Sequence, residues 1–272
     1  MDFYKEVLDK FKKNKIEKSD CDFIFCEVLK CKRTELIFKL NTITKKQKKL
    51  VLKFVSKRIK HIPLSEIFNK SYFYGEQFFV NKNVLSPRIE TELLVEKSID
   101  IINLNKYKNV LDLCTGSGAI AIMIKKYTST SVTASDISSK ALKVAKKNSK
   151  HLNVKVNFIK SNLFEKINDR FDCIISNPPY IKTNDIIYLE EEVKKYDPIL
   201  ALDGKSDGLY YYREIASCID KYLTKNGSLI LEIGYNQGKD VKKLFESKFN
   251  NVIIVKDFDN NERIIICRVL KS

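Results

Sequence analysis

Between residues 109 and 269, short apolar runs alternate with amphipathic stretches, and few folds accept that order. Val110-Leu111-Asp112-Leu113-Cys114, Val132–Asp136, Val154–Lys160 and Phe171–Ser176 read as strands bounded by turn residues. Ala119–Lys126, Ser138–Lys150, Ser206–Leu223 and Asn236–Ser247 have helical spacing, and Ser228–Ile233, Val252–Val255 and Arg263–Val269 complete the strands. This alternation predicts a mostly parallel sheet with helices on both faces and ligands bound beyond the carboxyl ends of the strands.

The first part of the chain follows another pattern. Phe3, Tyr4, Val7, Leu8 and Phe11 share one face of a helix over residues 2–13, and a second helix starts at Ser19 or Asp20 and carries Phe23, Val28 and Leu29. Thr44 and Gln47 have capping-box spacing ahead of Leu50, Val51, Phe54, Val55 and Ile59, and Pro63 ends or interrupts that helix. These elements predict a small helical bundle without a catalytic constellation, in which His61 is a surface residue at a helix end. Residues 72–80, rich in aromatics around Gly75, read as a β-hairpin or bent strand. Pro87 then opens a helix whose buried face is expected to carry Leu93, Leu94, Ile99 and Ile102. The expected boundaries are a helical domain over 1–70, a hairpin linker over 71–85 and a catalytic domain over 86–272.

Composition narrows the class only modestly. A chain of 272 residues, 44% hydrophobic and 31% charged, has the make-up of a soluble globular protein, and no apolar run suits a membrane span. The N-terminus has no secretory pattern. Seven cysteines without a Cys-x-x-Cys pair fit reduced thiols in the cytoplasm, with no metal site expected. A net charge of +16 suits a nucleic-acid partner, yet the lysines are scattered and accompany many Asn and Ile residues. We attribute the charge chiefly to AT-rich coding, and it decides little.

The strand Phe171–Ser176 runs into Asn177-Pro178-Pro179-Tyr180. Two prolines cannot donate to a sheet ladder, so these four residues form a stiff loop at the carboxyl end of the strand. The Asn177 side-chain oxygen and the Pro178 carbonyl supply two acceptors for the two hydrogens of a planar –NH2 group, and Tyr180 can lie flat against it. An amide nitrogen is a poor nucleophile because its lone pair is delocalised; two acceptors on its hydrogens favour pyramidalisation. Its proton can leave late, so no strong base is required.

Three features mark a second site. Asp112-Leu-Cys-Thr-Gly-Ser-Gly118 is a strand-to-helix turn of small residues; Asp136 ends the next strand; Asn162 follows the third. The carboxylate suits ribose hydroxyls, and Asn162 suits an adenine ring. A dinucleotide enzyme is the main rival, but Ile120-Ala121 stand where its third glycine belongs. S-adenosylmethionine carries no phosphate and tolerates this turn.

Together these residues resemble the protein-glutamine methyltransferases that act on peptide chain release factors. The likeness runs through Pro87-Arg88, Thr91-Glu92, Asp112–Ile120, Asp136, Asn177–Tyr180, Leu231-Glu232-x-Gly234, Gln237-Gly238 and Asp259–Arg263. It implies a Rossmann-like class I S-adenosylmethionine-dependent methyltransferase domain with a mostly parallel seven-stranded sheet, preceded by a helical substrate-recognition domain. It also implies that Asp112, Cys114, Thr115, Gly116, Ser117, Gly118, Asp136, Asn162, Leu163 and Asn177 meet the cofactor, which leaves as S-adenosylhomocysteine. Asn177, Pro178, Pro179 and Tyr180 would hold the glutamine of a Gly-Gly-Gln loop in class I release factors, with Asn177 and Tyr180 catalytic. A cytoplasmic monomer without stable nucleic-acid or membrane contact is expected. Three departures stand out: Cys114 replaces glycine, Asn162 a commoner Asp, and Leu163 an aromatic, with an expected cost of about 1 kcal/mol in cofactor binding. The rival substrates are a glutamine of a ribosomal protein and the adenine amino group of DNA; a non-catalytic ribosome-associated protein is a more distant reading.

Overall fold

The computed structural model describes residues 2–271 and divides into two compact units, Met1–Asn69 and Lys70–Ser272. In the first unit the helices Asp2–Lys13, Lys18–Leu29 and Lys45–Arg58 bury Val7, Phe11, Cys21, Ile24, Phe25, Val51 and Val55 together. The capping box forms: Gln47 N–H donates to Thr44 Oγ1 at 3.2 Å, and Thr44 N–H to Gln47 Oε1 at 2.9 Å. A 3-10 turn over Arg33–Glu35 and a short helix over Leu36–Leu40 were not evident from periodicity. Their anchor is a distant ion pair, Arg33 to the buried Asp22 at 2.9 Å, with the Tyr4 hydroxyl donating to the other Asp22 oxygen.

The second unit begins with the hairpin β1 (Lys70–Phe73) and β2 (Glu76–Phe79). Its turn residues Tyr74 and Gly75 both have positive φ, 53° and 78°, the mark of a type I′ turn. Phe73 and Phe78 join the same core as Leu94, Val95 and Ile120, so the hairpin packs as part of this unit. The fully buried Asn148 accepts from Phe79 N–H at 2.7 Å and donates to the carbonyls of Phe79 and Ser117 at 3.0 and 2.9 Å. One side chain thus stitches the hairpin to the turn after the first sheet strand.

That sheet contains β3 (Asn109–Leu113), β4 (Ser131–Asp136), β5 (Asn157–Lys160), β6 (Phe171–Ser176), β7 (Leu223–Glu232), β8 (Phe249–Lys256) and β9 (Glu262–Leu270). Their spatial order is β5-β4-β3-β6-β7-β9-β8, parallel through β7, with β9 antiparallel to both neighbours. Period-two alternation sends Leu111, Leu113, Ile174, Leu229 and Leu231 into one core and Val110, Cys173, Ile175 and Ile230 into the other. Both faces are covered, as the parallel pattern requires. The chain reverses its direction of growth between β3 and β6, which opens a crevice at their carboxyl ends.

Several boundaries differ from expectation. The helix Glu90–Asn105 buries Thr91, Leu94, Val95, Ser98, Ile101 and Ile102, while Leu93 and Ile99 are only half-buried. The buried stripe therefore includes two hydroxyl residues that a hydrophobic count passes over. Strand β5 starts at Asn157 because Val154 N–H bonds back to the Ser149 carbonyl at 2.9 Å, closing the previous helix. The helix expected from Ser206 starts at Tyr210, after the loop containing Gly204 and Gly208. Three short helical pieces, Thr183–Tyr188, Glu191–Tyr196 and Ile199–Leu202, fill the segment before it. No helix among the described residues is long and apolar enough to cross a membrane.

Candidate active site

The crevice holds a cavity of about 230 Å³ lined from the ends of four parallel strands. Cys114, Thr115, Gly116 and Ser117 follow β3, Asp136 ends β4, Asn162 and Leu163 follow β5, and Asn177 and Pro179 follow β6. Thus nine of the residues singled out from sequence reach one space. Asp112 lies buried beneath it, and Gly118, Pro178 and Tyr180 adjoin the lining residues in sequence without being among them. No histidine is among the residues that line it.

The turn after β3 is built by positive-φ residues: Cys114 at 59°, Gly116 at 55° and Gly118 at 82°. Cys114 adopts the left-handed geometry that glycine takes freely, at a cost of about 1 kcal/mol. Burial pushes its thiol well above the usual range, so it is an inert part of the wall. Asp136 accepts Gly116 N–H at 2.9 Å on Oδ2 and Ser138 N–H at 2.8 Å on Oδ1, which pins both oxygens at the rim. Asp112 accepts from Thr115 Oγ1 at 2.6 Å and Ala121 N–H at 3.2 Å, both on Oδ2; its Oδ1 finds no donor among the described residues. Burial drives Asp112 up to about 7, only partly opposed by those two donors.

These features fit S-adenosylmethionine better than a pyrophosphate. Asp112 already takes an amide of the helix Ala119–Tyr127, where a phosphate would have to sit, and Asp136 adds a second acid nearby. Two carboxyls favour a ligand that is cationic and offers hydroxyl donors. At the far end Asn162 Nδ2 donates to Glu165 Oε1 at 2.6 Å, so the asparagine oxygen remains the acceptor offered to a ligand.

The corner after β6 is braced from several sides. Ser176 Oγ donates to the Leu113 carbonyl at 2.8 Å, tying the strand ends together. Gln237 Nε2 donates to the carbonyls of Tyr180 and Gly208, at 3.0 and 3.2 Å. A Cβ on Gly204 would lie 2.8 Å from Tyr180 backbone atoms, so glycine is required for this approach. Asn177 Nδ2 donates to Thr91 Oγ1 at 3.3 Å, and Thr91 Oγ1 donates to Glu232 Oε2 at 2.7 Å. The Tyr180 hydroxyl donates to Glu232 Oε1 at 3.4 Å. Burial raises the Glu232 carboxyl to about 7, opposed by the Thr91 bond and the Arg263 charge; burial, then Glu232, drives the Tyr180 phenol well above its normal range. Sequence reasoning assigned no role to Thr91 or Glu232, although both lie in motifs that carried the resemblance.

Two family models match the chain, the PrmC N-terminal domain over residues 3–68 and the Methyltransferase small domain over residues 89–205. Each falls within one structural unit. A release factor glutamine methyltransferase of Fusobacterium nucleatum is 39% identical over 98% of this chain and 78% of its own length. One from Thermodesulfovibrio yellowstonii is 38% identical over 100% of this chain and 99% of its own. One from Clostridium acetobutylicum is 41% identical over 78% of this chain and 77% of its own. Among solved structures, the hMettl16 catalytic domain in complex with MAT2A 3′UTR hairpin 6 matches with a TM-score of 0.56 at 14% identity, covering 75% of this chain and 77% of that one. A T. thermophilus 16S rRNA N2 methyltransferase in complex with AdoMet and guanosine matches with a TM-score of 0.51 at 16% identity, covering 74% and 49%. Those two likenesses establish the class I methyltransferase fold alone. With relatives this similar along its whole length, the chain belongs to the release factor glutamine methyltransferase family.

Proposed function

We propose that this chain methylates the side-chain amide nitrogen of a glutamine in class I peptide chain release factors, the glutamine of their Gly-Gly-Gln loop, using S-adenosylmethionine. The observation that carries the reading is Asn177, on the wall of the cavity with its Nδ2 already engaged and its Oδ1 left to accept. The relatives' shared name supports the substrate. Bound beside Asp136 and Asn162, S-adenosylmethionine supplies an electrophilic methyl group on a sulfonium ion.

The residues of the chain do the positioning. Asn177 Oδ1 and the Pro178 carbonyl take the two amide hydrogens, so the nitrogen lone pair is freed from the amide plane and aimed into the cavity. Both acceptors sit on a loop that the prolines stiffen, so little reorganisation accompanies the reaction. Asp136 and the turn Cys114–Gly118 hold the donor's nucleoside, and Leu163 and Ile137 give it apolar walls. The helical unit binds the body of the release factor, since a Gly-Gly-Gln tip offers little area. The same reading places the enzyme in the cytoplasm as a monomer without stable nucleic-acid contact.

The test is transfer of labelled methyl from the cofactor to release factor, ribosomal protein and DNA, run side by side with wild type and Asn177→Ala. Label in the release-factor glutamine is expected, with Asn177→Ala lowering kcat roughly a hundredfold or more while the affinity for S-adenosylhomocysteine changes by less than about threefold. Label in DNA or ribosomal protein alone would overturn the substrate assignment.

A further inference from the structure

An asparagine side chain is nearly symmetric in shape, yet only its oxygen can accept a hydrogen from a substrate –NH2. The proline-braced corner gives Asn177 its place but nothing in that loop chooses which end of its amide faces the cavity. We propose that Glu232 and Thr91 make that choice: an acceptor-only carboxylate sets the direction of a two-bond relay that turns Asn177 Oδ1 toward the substrate. This rests on the reading of Asn177 as the holder of the glutamine amide.

The argument follows the hydrogens. Glu232 ends β7 with 2% of its surface exposed, and an ionised carboxylate can only accept. Thr91 Oγ1, on the first turn of the helix Glu90–Asn105, lies 2.7 Å from Glu232 Oε2 and must give it the single hydroxyl hydrogen. What remains on Thr91 Oγ1 is lone pairs. Asn177 approaches this oxygen at 3.3 Å and can satisfy it only with Nδ2. A reversed Asn177 would set a carbonyl oxygen against lone pairs, so the long bond decides orientation even where it adds little strength. The other carboxylate oxygen receives the Tyr180 hydroxyl at 3.4 Å, so a single group governs both ends of the four-residue loop.

Thr91 and Glu232 are positioning residues in this scheme. Protonating Glu232 gives it a hydrogen of its own and ends the enforced direction, so the relay weakens as pH falls through the titration of this carboxyl, which burial raises to about 7. Around it, Arg263 and the Thr91 and Tyr180 donors favour the charged form, while Glu90 disfavours it; the Tyr212 hydroxyl is held on the Glu232 backbone carbonyl at 2.9 Å. Arg263 is itself braced by Asp257 at 3.0 Å.

The full-length variants Thr91→Val, Thr91→Ser and Glu232→Gln separate this role from simple packing. Valine keeps the shape and removes the hydroxyl; serine restores it. Glutamine keeps the shape and can donate its amide hydrogens to Thr91, releasing the hydroxyl hydrogen toward Asn177 and inverting the relay. Thr91→Val and Glu232→Gln are expected to lower kcat on release factor by roughly tenfold to a hundredfold, with KM and the calorimetric affinity for S-adenosylhomocysteine changed less than about threefold. Thr91→Ser is expected to keep most of the wild-type kcat. In parallel, the side-chain amide resonances of Asn177, assigned by their absence in Asn177→Asp, are expected to shift with pH in the wild type and stay flat in Glu232→Gln. Wild-type kcat in Thr91→Val, a serine variant as impaired as valine, or Asn177 resonances indifferent to Glu232→Gln would each overturn the relay. If the wild type transfers no methyl to release factor, the functional reading fails separately, and the resonances alone judge the relay because they need no substrate.

Discussion

Asp112 and Glu232 are buried carboxyls raised to about 7, and both sit where a charge is useful and costly. The folded carboxyl holds its proton to higher pH than the unfolded one, so the native state binds more protons between the ordinary carboxyl range and about 7. Their contribution to stability therefore falls as pH rises through that window. Replacing Glu232 with glutamine removes the charge and keeps the shape. Thermal unfolding is expected to show Glu232→Gln melting a few degrees above wild type near pH 8, with the advantage shrinking towards pH 5. A difference independent of pH would mean that Glu232 stores no such charge. Sequence reading found Asn177 and Asp136 because each terminates a strand at a place where chemistry is expected. It gave Thr91 and Glu232 no role because their partnership joins positions 141 residues apart, and hydrophobic periodicity says nothing about two polar groups that solve each other's burial.

At the scale of elements, the turn after β3 depends on how closely helices approach it. A Cβ on Gly118 would meet Ala145 Cβ at 3.0 Å and Ile122 Cδ1 at 3.2 Å, in a backbone with φ of 82°. Strain and overpacking together predict that Gly118→Ala costs about 2–4 kcal/mol, read as a lower urea midpoint with an unchanged slope. A loss under about 0.5 kcal/mol would show that the neighbouring helix yields freely. The long elements were legible because each follows one clear period, two for the sheet and three to four for the helices. The stretch Thr183–Leu202 was not, because its helices are too short to show a period and its flanks are tied across the loop: Ile181 N–H donates to the Leu202 carbonyl, Gly204 N–H to the Ile181 carbonyl, and Gln237 Nε2 to the Tyr180 carbonyl. Local sequence carries no sign of partners supplied by another loop.

For the molecule as a whole, the helical unit has a hydrophobic core of its own, apart from those on the two faces of the sheet, so two properties should be separable. A chain of residues 70–272 is expected to bind S-adenosylhomocysteine within about threefold of the full protein, while KM for release factor rises roughly tenfold or more. Unchanged KM would remove the helical unit from substrate binding. The net charge of +16 is uneven between the units: residues 1–69 carry 18 Lys and Arg against 9 Asp and Glu, so +9 of it falls on the smaller, helical unit. The sheet order carries one more consequence. Strand β9 is the last to be synthesised but lies between β7 and β8, pairing Ile264 with Glu232. Loss of Glu262–Leu270 thus deletes an inner plank of the structure and leaves the flank of β7 bare. During translation the corner bearing Glu232 therefore stays unfinished until β9 has left the ribosome, after every other strand of the sheet has already emerged.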